Sequence, residues 1–297
     1  MPGRWIALLT NPAAGSGARG RSAVADAARE ATGRLRDAGL EVRPLPADDA
    51  AHAADLVRAA VAGGGPAAVV AVGGDGTVHA AIQGLAGTRV PLGVVACGTG
   101  NDVARMLDLP RGDARAAADR VVAGRRRRID LARVGATHFA TVLAAGFDAV
   151  VNERANGLTW PRGQARYTLA TAAELRTFRP REYVLELDGE VLRTSAMLVA
   201  VGNGPSFGGG LRITEGAALD DGLLDVVVIA PMSRTGLVRT YPTLYRGTHV
   251  RHPAYTRHRV ARVTLAAPGI VAYADGERLG PLPLTIECAP AALEVLT

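Results

Sequence analysis

Three short glycine-bearing segments have the composition needed to grip a phosphate chain. Asn11-Pro-Ala-Ala-Gly-Ser-Gly17, Gly73-Gly-Asp-Gly-Thr-Val78 and Cys97-Gly-Thr-Gly-Asn-Asp102 each follow a short apolar or β-branched run and precede a helical pattern. At the carboxyl end of a parallel strand a tight glycine turn lets bare backbone approach a ligand, and the next helix offers unpaired N–H groups to an anion. One such turn is equally well explained by glycine's tolerance of positive φ. Three converging on one sheet edge point to a ligand site. Asp75, inside the second segment, reads either as an oxygen ligand for Mg²⁺ beside the phosphates or as a helix N-cap.

These loops need a scaffold of alternating strands and helices. Strands are expected at Trp5 to Leu9, Leu40 to Leu45, Ala68 to Val72 and Leu92 to Ala96. Helices fit between and after them: Ser22 to Ala38 with Ser22 as N-cap, Ala50 to Ala62, Thr77 to Leu85, Asp102 to Leu107 and Asp113 to Ala123. That alternation predicts an α/β domain around a parallel sheet. The texture changes at Gly124-Arg-Arg-Arg-Arg128, so the first domain is placed at residues 1–128 and a β-rich, sandwich-like second domain at 129–297, with the last strand allowed to pack back on the first. Strand runs there are Phe139 to Ala144, Tyr183 to Leu187, Met197 to Val201, Leu223 to Ile229, Arg262 to Leu265, Ile270 to Ala274 and Leu284 to Cys288. Two helices interrupt them, Gln164 to Phe178 and Ser233 to Arg246. The arginine run reads first as a solvated stretch between domains. The alternative is a surface facing ligand phosphates or an anionic leaflet, where each Arg adds roughly 1 kcal/mol of attraction.

Composition narrows the chemistry. The 297-residue chain carries a net charge of +6 and contains no lysine, which excludes a Walker-type P-loop; phosphate must be met by backbone N–H groups, Arg or a metal. Cys97 and Cys288 form no metal or disulfide pattern, and His52, His138, His249, His252 and His258 show no metal spacing. Aromatic content of 4% without a recognition motif argues against nucleic acid despite the basic charge. No apolar stretch reaches membrane-span length and no signal-peptide pattern is visible, so a cytoplasmic protein is expected.

Taken in order, the segments resemble the diacylglycerol kinase catalytic family, which includes sphingosine and ceramide kinases. The resemblance rests on Asn11-Pro-x-x-Gly15, Gly73-Gly-Asp-Gly-Thr77, Leu92 to Asp102 and Ile129-Asp-Leu131. In the second half it rests on Asn203-Gly204, Gly208-Gly-Gly210, Leu219 to Asp225 and Asp275-Gly-Glu277, which resemble the bacterial soluble branch. It implies a fold like that of NAD kinases and diacylglycerol kinases, and an ATP- and Mg²⁺-dependent transfer to a lipid hydroxyl, that of diacylglycerol first. Asn11, Pro12, Gly15, Gly73, Gly74, Asp75, Gly76, Thr77, His79, Gly98, Thr99, Asn101 and Asp102 would line the nucleotide site. Asp275 and Glu277 would supply the base, with the choice between them open and an acidic hairpin turn as the plain alternative. Ala218, Asp221 and Leu223 would hold a structural Mg²⁺ by two carbonyls and a carboxylate, against an ordinary Asp-Gly hairpin.

The family pattern continues with Asn and Glu where this chain has His79 and Ala80, and no threonine matches a nucleotide contact in Pro44 to Asp49. The competing readings are therefore a sphingoid or ceramide kinase, an NAD kinase, or a weakly active lipid- or nucleotide-binding regulator. Expected partners are a lipid substrate met at the inner membrane face, no nucleic acid, and a second copy in a homodimer.

Overall fold

A computed structural model describes residues 5–11, 17–146, 154, 160 and 179–297. The first half alternates β1 (Trp5–Thr10), α1 (Gly17–Asp37), β2 (Glu41–Pro46), α2 (Ala50–Ala62), β3 (Ala68–Gly73), α3 (Asp75–Leu85), β4 (Leu92–Ala96), α4 (Asp102–Met106) and α5 (Ala114–Ala123). Strands β2, β1, β3 and β4 lie side by side and parallel, with Thr10 opposite Val72 and Gly73 opposite Ala96. The loops after β1, β3 and β4 therefore leave one sheet edge together. Every residue of β3 is buried, as a strand covered on both faces requires. Asp49 and Asp113 cap α2 and α5 by accepting from His52 N and Ala116 N, each at 2.8 Å.

The second half contributes β5 (Arg126–Val134), β6 (Thr137–Phe139), β7 (Val142–Gly146), β8 (Arg181–Leu187), β9 (Glu190–Ala196), β10 (Leu198–Gly202) and β11 (Leu224–Ile229). Helix α6 (Arg234–Leu244) and a 3₁₀ turn at Thr248–Arg251 precede β12 (Tyr255–Val260), β13 (Arg262–Ala266), β14 (Val271–Ala274), β15 (Glu277–Pro281) and β16 (Leu284–Leu296). One sheet runs β12-β11-β10-β7-β14-β15. The other continues the parallel sheet as β4-β16-β13-β8-β9, with β5 on β16 and β6 on β5. A core of Leu143, Tyr183, Leu185, Val226 and Val263 fills the space between the two sheets, as in a sandwich.

Strand β16 is the seam. Its first part pairs with β13; from Glu287 onward it pairs with β5, across a bulge between Ala289 and Leu293, and its end lies alongside β4 with Val295 opposite Leu92. The last strand thus does pack on the first half, and it is far longer than the run Leu284 to Cys288 suggests.

Several expectations need correction. Ser22 does not cap α1, which begins at Gly17; its hydroxyl reaches Asp26 at 3.3 Å from within the helix. The boundary at Arg128 falls inside β5, because these arginines are the exposed start of a strand whose later residues, Ile129 to Ala132, are buried. The run Phe139 to Ala144 splits into β6 and β7 because the N–H groups of Ala140 and Thr141 are drawn to a carboxylate described below. Strands β9, β12 and β15 lie outside the expected runs. Helix Gln164 to Phe178, together with Pro12 and Gly15, lies outside the described residues. Among the described residues no helix is long and apolar enough to cross a membrane.

Candidate functional site

The second and third glycine loops touch backbone to backbone. A Cβ on Gly98 would lie 2.5 Å from Gly74 Cα, so neither position admits a larger side chain without parting the loops. A Cβ on Gly100 would lie 2.5 Å from Asp75 Oδ2, and that oxygen explains the glycine. Asp75 does not cap its own helix. Its two oxygens accept from Asn101 N at 2.8 Å and Asp102 N at 2.7 Å, so it caps α4 from across the cleft and fastens the two loops together. Asn101, left-handed at φ 55°, completes the fastening by exchanging two bonds with the Gly98 backbone.

Polar atoms with no partner mark where a ligand is owed. Gly74 starts α3 with no side-chain cap, and exposed Gly76 leads its first turn. Thr77 Oγ1, Asp102 Oδ1 and Arg105 Nε are buried and make no hydrogen bond among the described residues, although Arg105 Nε stands 3.7 Å from Asp102 Oδ1. Thr99 sits exposed on the third loop, and Asn11 half-buried just past β1. Backbone amides at a helix start, a hydroxyl, a guanidinium and one free carboxylate oxygen suit a nucleotide triphosphate with its metal.

Facing this cradle is the Asp275-Gly-Glu277 turn between β14 and β15. Asp275 has φ 51° and a side chain only 3% exposed. Its oxygens accept from Ala140 N at 3.1 Å, Thr141 N at 3.0 Å, Thr141 Oγ1 at 2.5 Å and His79 Nδ1 at 3.1 Å. A carboxylate has about four acceptor positions, and all four are in use. Burial alone would raise the Asp275 carboxyl, but these donors outweigh it and hold it below the ordinary carboxylate value. Burial alone would lower His79; Asp275 outweighs that too, through its hydrogen bond and its charge, and holds the imidazole above its ordinary value. Gln83, one turn along α3, lies 3.3 Å from His79 Nε2 and brackets the His138 backbone at 2.7 and 3.0 Å. Glu277 differs in kind. It is exposed, and its Oε1 lies 3.9 Å from where a Cβ of Gly76 would project.

Asp102 ties the halves together, since its Oδ2 accepts from Gly209 N at 2.8 Å. Gly209 is the middle of a tight turn from Phe207 to Leu211. The two ends of that turn line an apolar pocket beneath α6, shared with Met197, Ile213, Leu237, Tyr241 and Leu244.

The expected cation loop is assembled otherwise. Asp221 accepts from Leu223 N at 3.0 Å and pairs with Arg259, while Asp130 accepts from Gly222 N and from Ala291 N, each at 2.7 Å. Among the described residues no three His, Cys, Asp or Glu side chains gather as a metal site. Asp221, the one carboxylate of the expected Ala218, Asp221 and Leu223 set, takes Arg259 as its cation in this structure. The arginine run is not a bare cationic face either: Arg126 and Arg128 pair with Glu294, and Arg127 with Asp220.

Sequence reasoning missed Thr141, Gln83 and Arg105. Only Gln83 carried a usable cue, the i+4 spacing from His79 that puts both on one helical face.

A phosphate cradle at a parallel sheet edge, opposed by carboxylates from a β-sandwich, defines a phosphotransferase of the NAD kinase and diacylglycerol kinase fold. Residues 6–134 match the diacylglycerol kinase catalytic domain, and residues 141–297 match the YegS C-terminal NAD kinase beta sandwich-like domain. A diacylglycerol kinase of Mycobacterium tuberculosis is 44% identical over 98% of this chain and 94% of its own length; one of Bacillus subtilis is 32% identical over 72% of each. Among solved structures, a diacylglycerol kinase from Bacillus anthracis superposes with TM-score 0.74 at 19% identity, covering 100% of this chain and 97% of the other. An NAD kinase from Archaeoglobus fulgidus with ATP reaches TM-score 0.57 at 14% identity over 98% and 93% of the two chains, a likeness of fold alone. The chain belongs to the diacylglycerol kinase family of lipid kinases, enzymes that use ATP to phosphorylate a hydroxyl group.

Proposed function

We propose that the enzyme transfers the γ-phosphoryl group of ATP to the free hydroxyl of diacylglycerol, producing phosphatidic acid, and that it works on lipid at a membrane surface. The observation that carries this reading is the Phe207 to Leu211 turn. Its ends line an apolar pocket suited to acyl chains, while Gly209 N–H at its centre binds Asp102 of the nucleotide cradle. An acceptor with its chains in the pocket would bring a hydroxyl to the phosphate end of the cradle, and holding the two reactants in register supplies much of the rate.

The residues divide the work. The amides that open α3, with Thr77 and Arg105, bind and orient the phosphates. Mg²⁺ arriving with the nucleotide would find Asp102 Oδ1 as its protein oxygen and neutralise charge on the phosphates. Glu277, exposed and beside Gly76, takes the acceptor's proton. Asp275 has no acceptor position left for one, so it holds the turn that aims Glu277.

The test is phosphoryl transfer from γ-labelled ATP to diacylglycerol, ceramide, sphingosine and NAD. Diacylglycerol is expected to be the preferred acceptor. Glu277→Gln should lower kcat by about 10²- to 10⁴-fold, the usual contribution of a general base, with unchanged nucleotide affinity. Preferred transfer to another acceptor would overturn the substrate assignment, and full activity in Glu277→Gln would overturn the base.

A further inference from the structure

The stretch between Asp225 and Asp275 contains seven arginines and not one Asp or Glu. Three of the seven are matched by carboxylates outside it: Arg257 with Asp225, Arg259 with Asp221 and Arg262 with Glu287. The other four, Arg234, Arg239, Arg246 and Arg251, are exposed and pair with no carboxylate among the described residues. Arg234 and Arg239 lie on α6, Arg251 on the 3₁₀ turn that follows it, and Arg246 on the short link between them. The nearest carboxylate, Glu215 beside Gly247, is already held by Arg212.

Helix α6 has two apolar ridges. Leu237, Thr240, Tyr241 and Leu244, at helical spacing, face the pocket. Val238, Pro242 and Tyr245 form a second ridge toward solvent, with Val238 55% and Tyr245 48% exposed, and Val250 of the 3₁₀ turn stands at 36%. No residue of the helix is buried. An apolar outer ridge flanked by unpaired arginines is the pattern of an interfacial helix, whose apolar side chains enter the headgroup region while its cations meet lipid phosphate.

We propose that the outer face of α6 and the Thr248–Arg251 turn is the surface by which the enzyme docks on an anionic phospholipid bilayer, with α6 lying between the membrane and the pocket. This rests on the lipid-kinase reading for its purpose, and on the charge and apolar pattern of the face for its evidence. Docking this way removes the need to carry a two-chain lipid through water, since the pocket is one helix thickness from its supply.

The test is co-sedimentation of the full-length protein with vesicles of phosphatidylcholine alone and of phosphatidylcholine mixed with phosphatidylglycerol in equal parts. The parent should pellet with the mixed vesicles only. Each arginine near such a surface changes partitioning about fivefold, so Arg239→Gln with Arg246→Gln should weaken binding on the order of 25-fold. Arg21→Gln with Arg115→Gln removes the same charge from exposed positions on α1 and α5 and should leave binding unchanged. Val238→Ser with Tyr245→Ser should weaken it as well. Equal losses in the two arginine pairs, binding to phosphatidylcholine alone, or a change of molecular mass rather than of sedimentation in the α6 variants would overturn the proposal; the last would assign the face to a second copy. Transfer to a short-chain, water-dispersed diacylglycerol, measured on the same variants, separates the two readings. Normal transfer with lost vesicle binding supports the docking face. Vesicle binding by a parent that phosphorylates no diacylglycerol would sink the substrate assignment alone.

Discussion

Asp75 and Asp275 perform the same local task with opposite electrostatic outcomes. Each is a carboxylate that accepts two consecutive backbone N–H groups from a distant loop, Asn101 and Asp102 in one case, Ala140 and Thr141 in the other. Burial raises the Asp75 carboxyl above its ordinary value, and the charge of neighbouring Asp102 adds to it. Asp275 is more deeply buried yet lies below its ordinary value, because His79 and Thr141 add donors that Asp75 lacks. Amide donors alone do not offset burial; a cation and a hydroxyl added to them do. The nucleotide side of the cleft is therefore charge-strained and ready to receive a cation or a proton, while the turn that aims Glu277 is electrostatically closed.

The contrast can be broken most violently at Asp275. Asp275→Ala strands His79 and two amides in a buried site, and a loss of about 3–5 kcal/mol of unfolding free energy is expected in denaturant titration. A loss below 1 kcal/mol would show that the four bonds do not hold the turn. Asp75→Asn should be milder, about 1–3 kcal/mol near neutral pH, since it keeps one acceptor and relieves repulsion from Asp102. Its pH dependence has a definite sign. A carboxyl raised by folding stabilises the native state less as pH climbs through its folded value, so the gap between parent and variant should narrow as pH rises from 4 to neutrality, on the order of the shift itself.

His79→Asn restores the residue usual in the family. A histidine raised by folding contributes stability that is fully present below its unfolded value near 6.5 and is lost as pH rises through the folded value. Melting temperatures of parent and variant should therefore differ by a few degrees at about pH 6 and converge in alkali. A constant gap would mean that His79 acts by packing alone. The smallest effect is expected at Asp221, a half-exposed carboxylate that accepts one amide of its own turn and has Arg259 as its cation. Arg259→Gln should cost about 0.2–1 kcal/mol. EDTA should leave the parent's melting temperature unchanged, whereas a clear drop would return a structural cation to that loop.

The glycine loops, their strands and their order along one edge were legible because each rests on local cues: a buried β-branched run, then glycine, then a helix start. What escaped was set by the other half of the chain. Strands β9, β12 and β15 are sheet edges, half-exposed and studded with Arg, Glu and Thr, so they show no apolar run. The arginines of β5 looked like a linker because Glu294 and Asp220, which pair with them, are far away in sequence. Thr141 was invisible for the same reason, as its role exists only once Asp275 arrives at the end of the neighbouring strand β14.

Strand β16 also sets an order of assembly. Until Leu284–Leu296 is synthesised, β4 has only β3 beside it and β5 only β6. On the ribosome the parallel sheet therefore carries an open edge from the emergence of β4 until that of β16, with the whole β-rich half synthesised in between. Both halves of the cleft are completed in the same late event, so a chain stalled before β16 would expose adhesive backbone from its nucleotide half and its lipid half together.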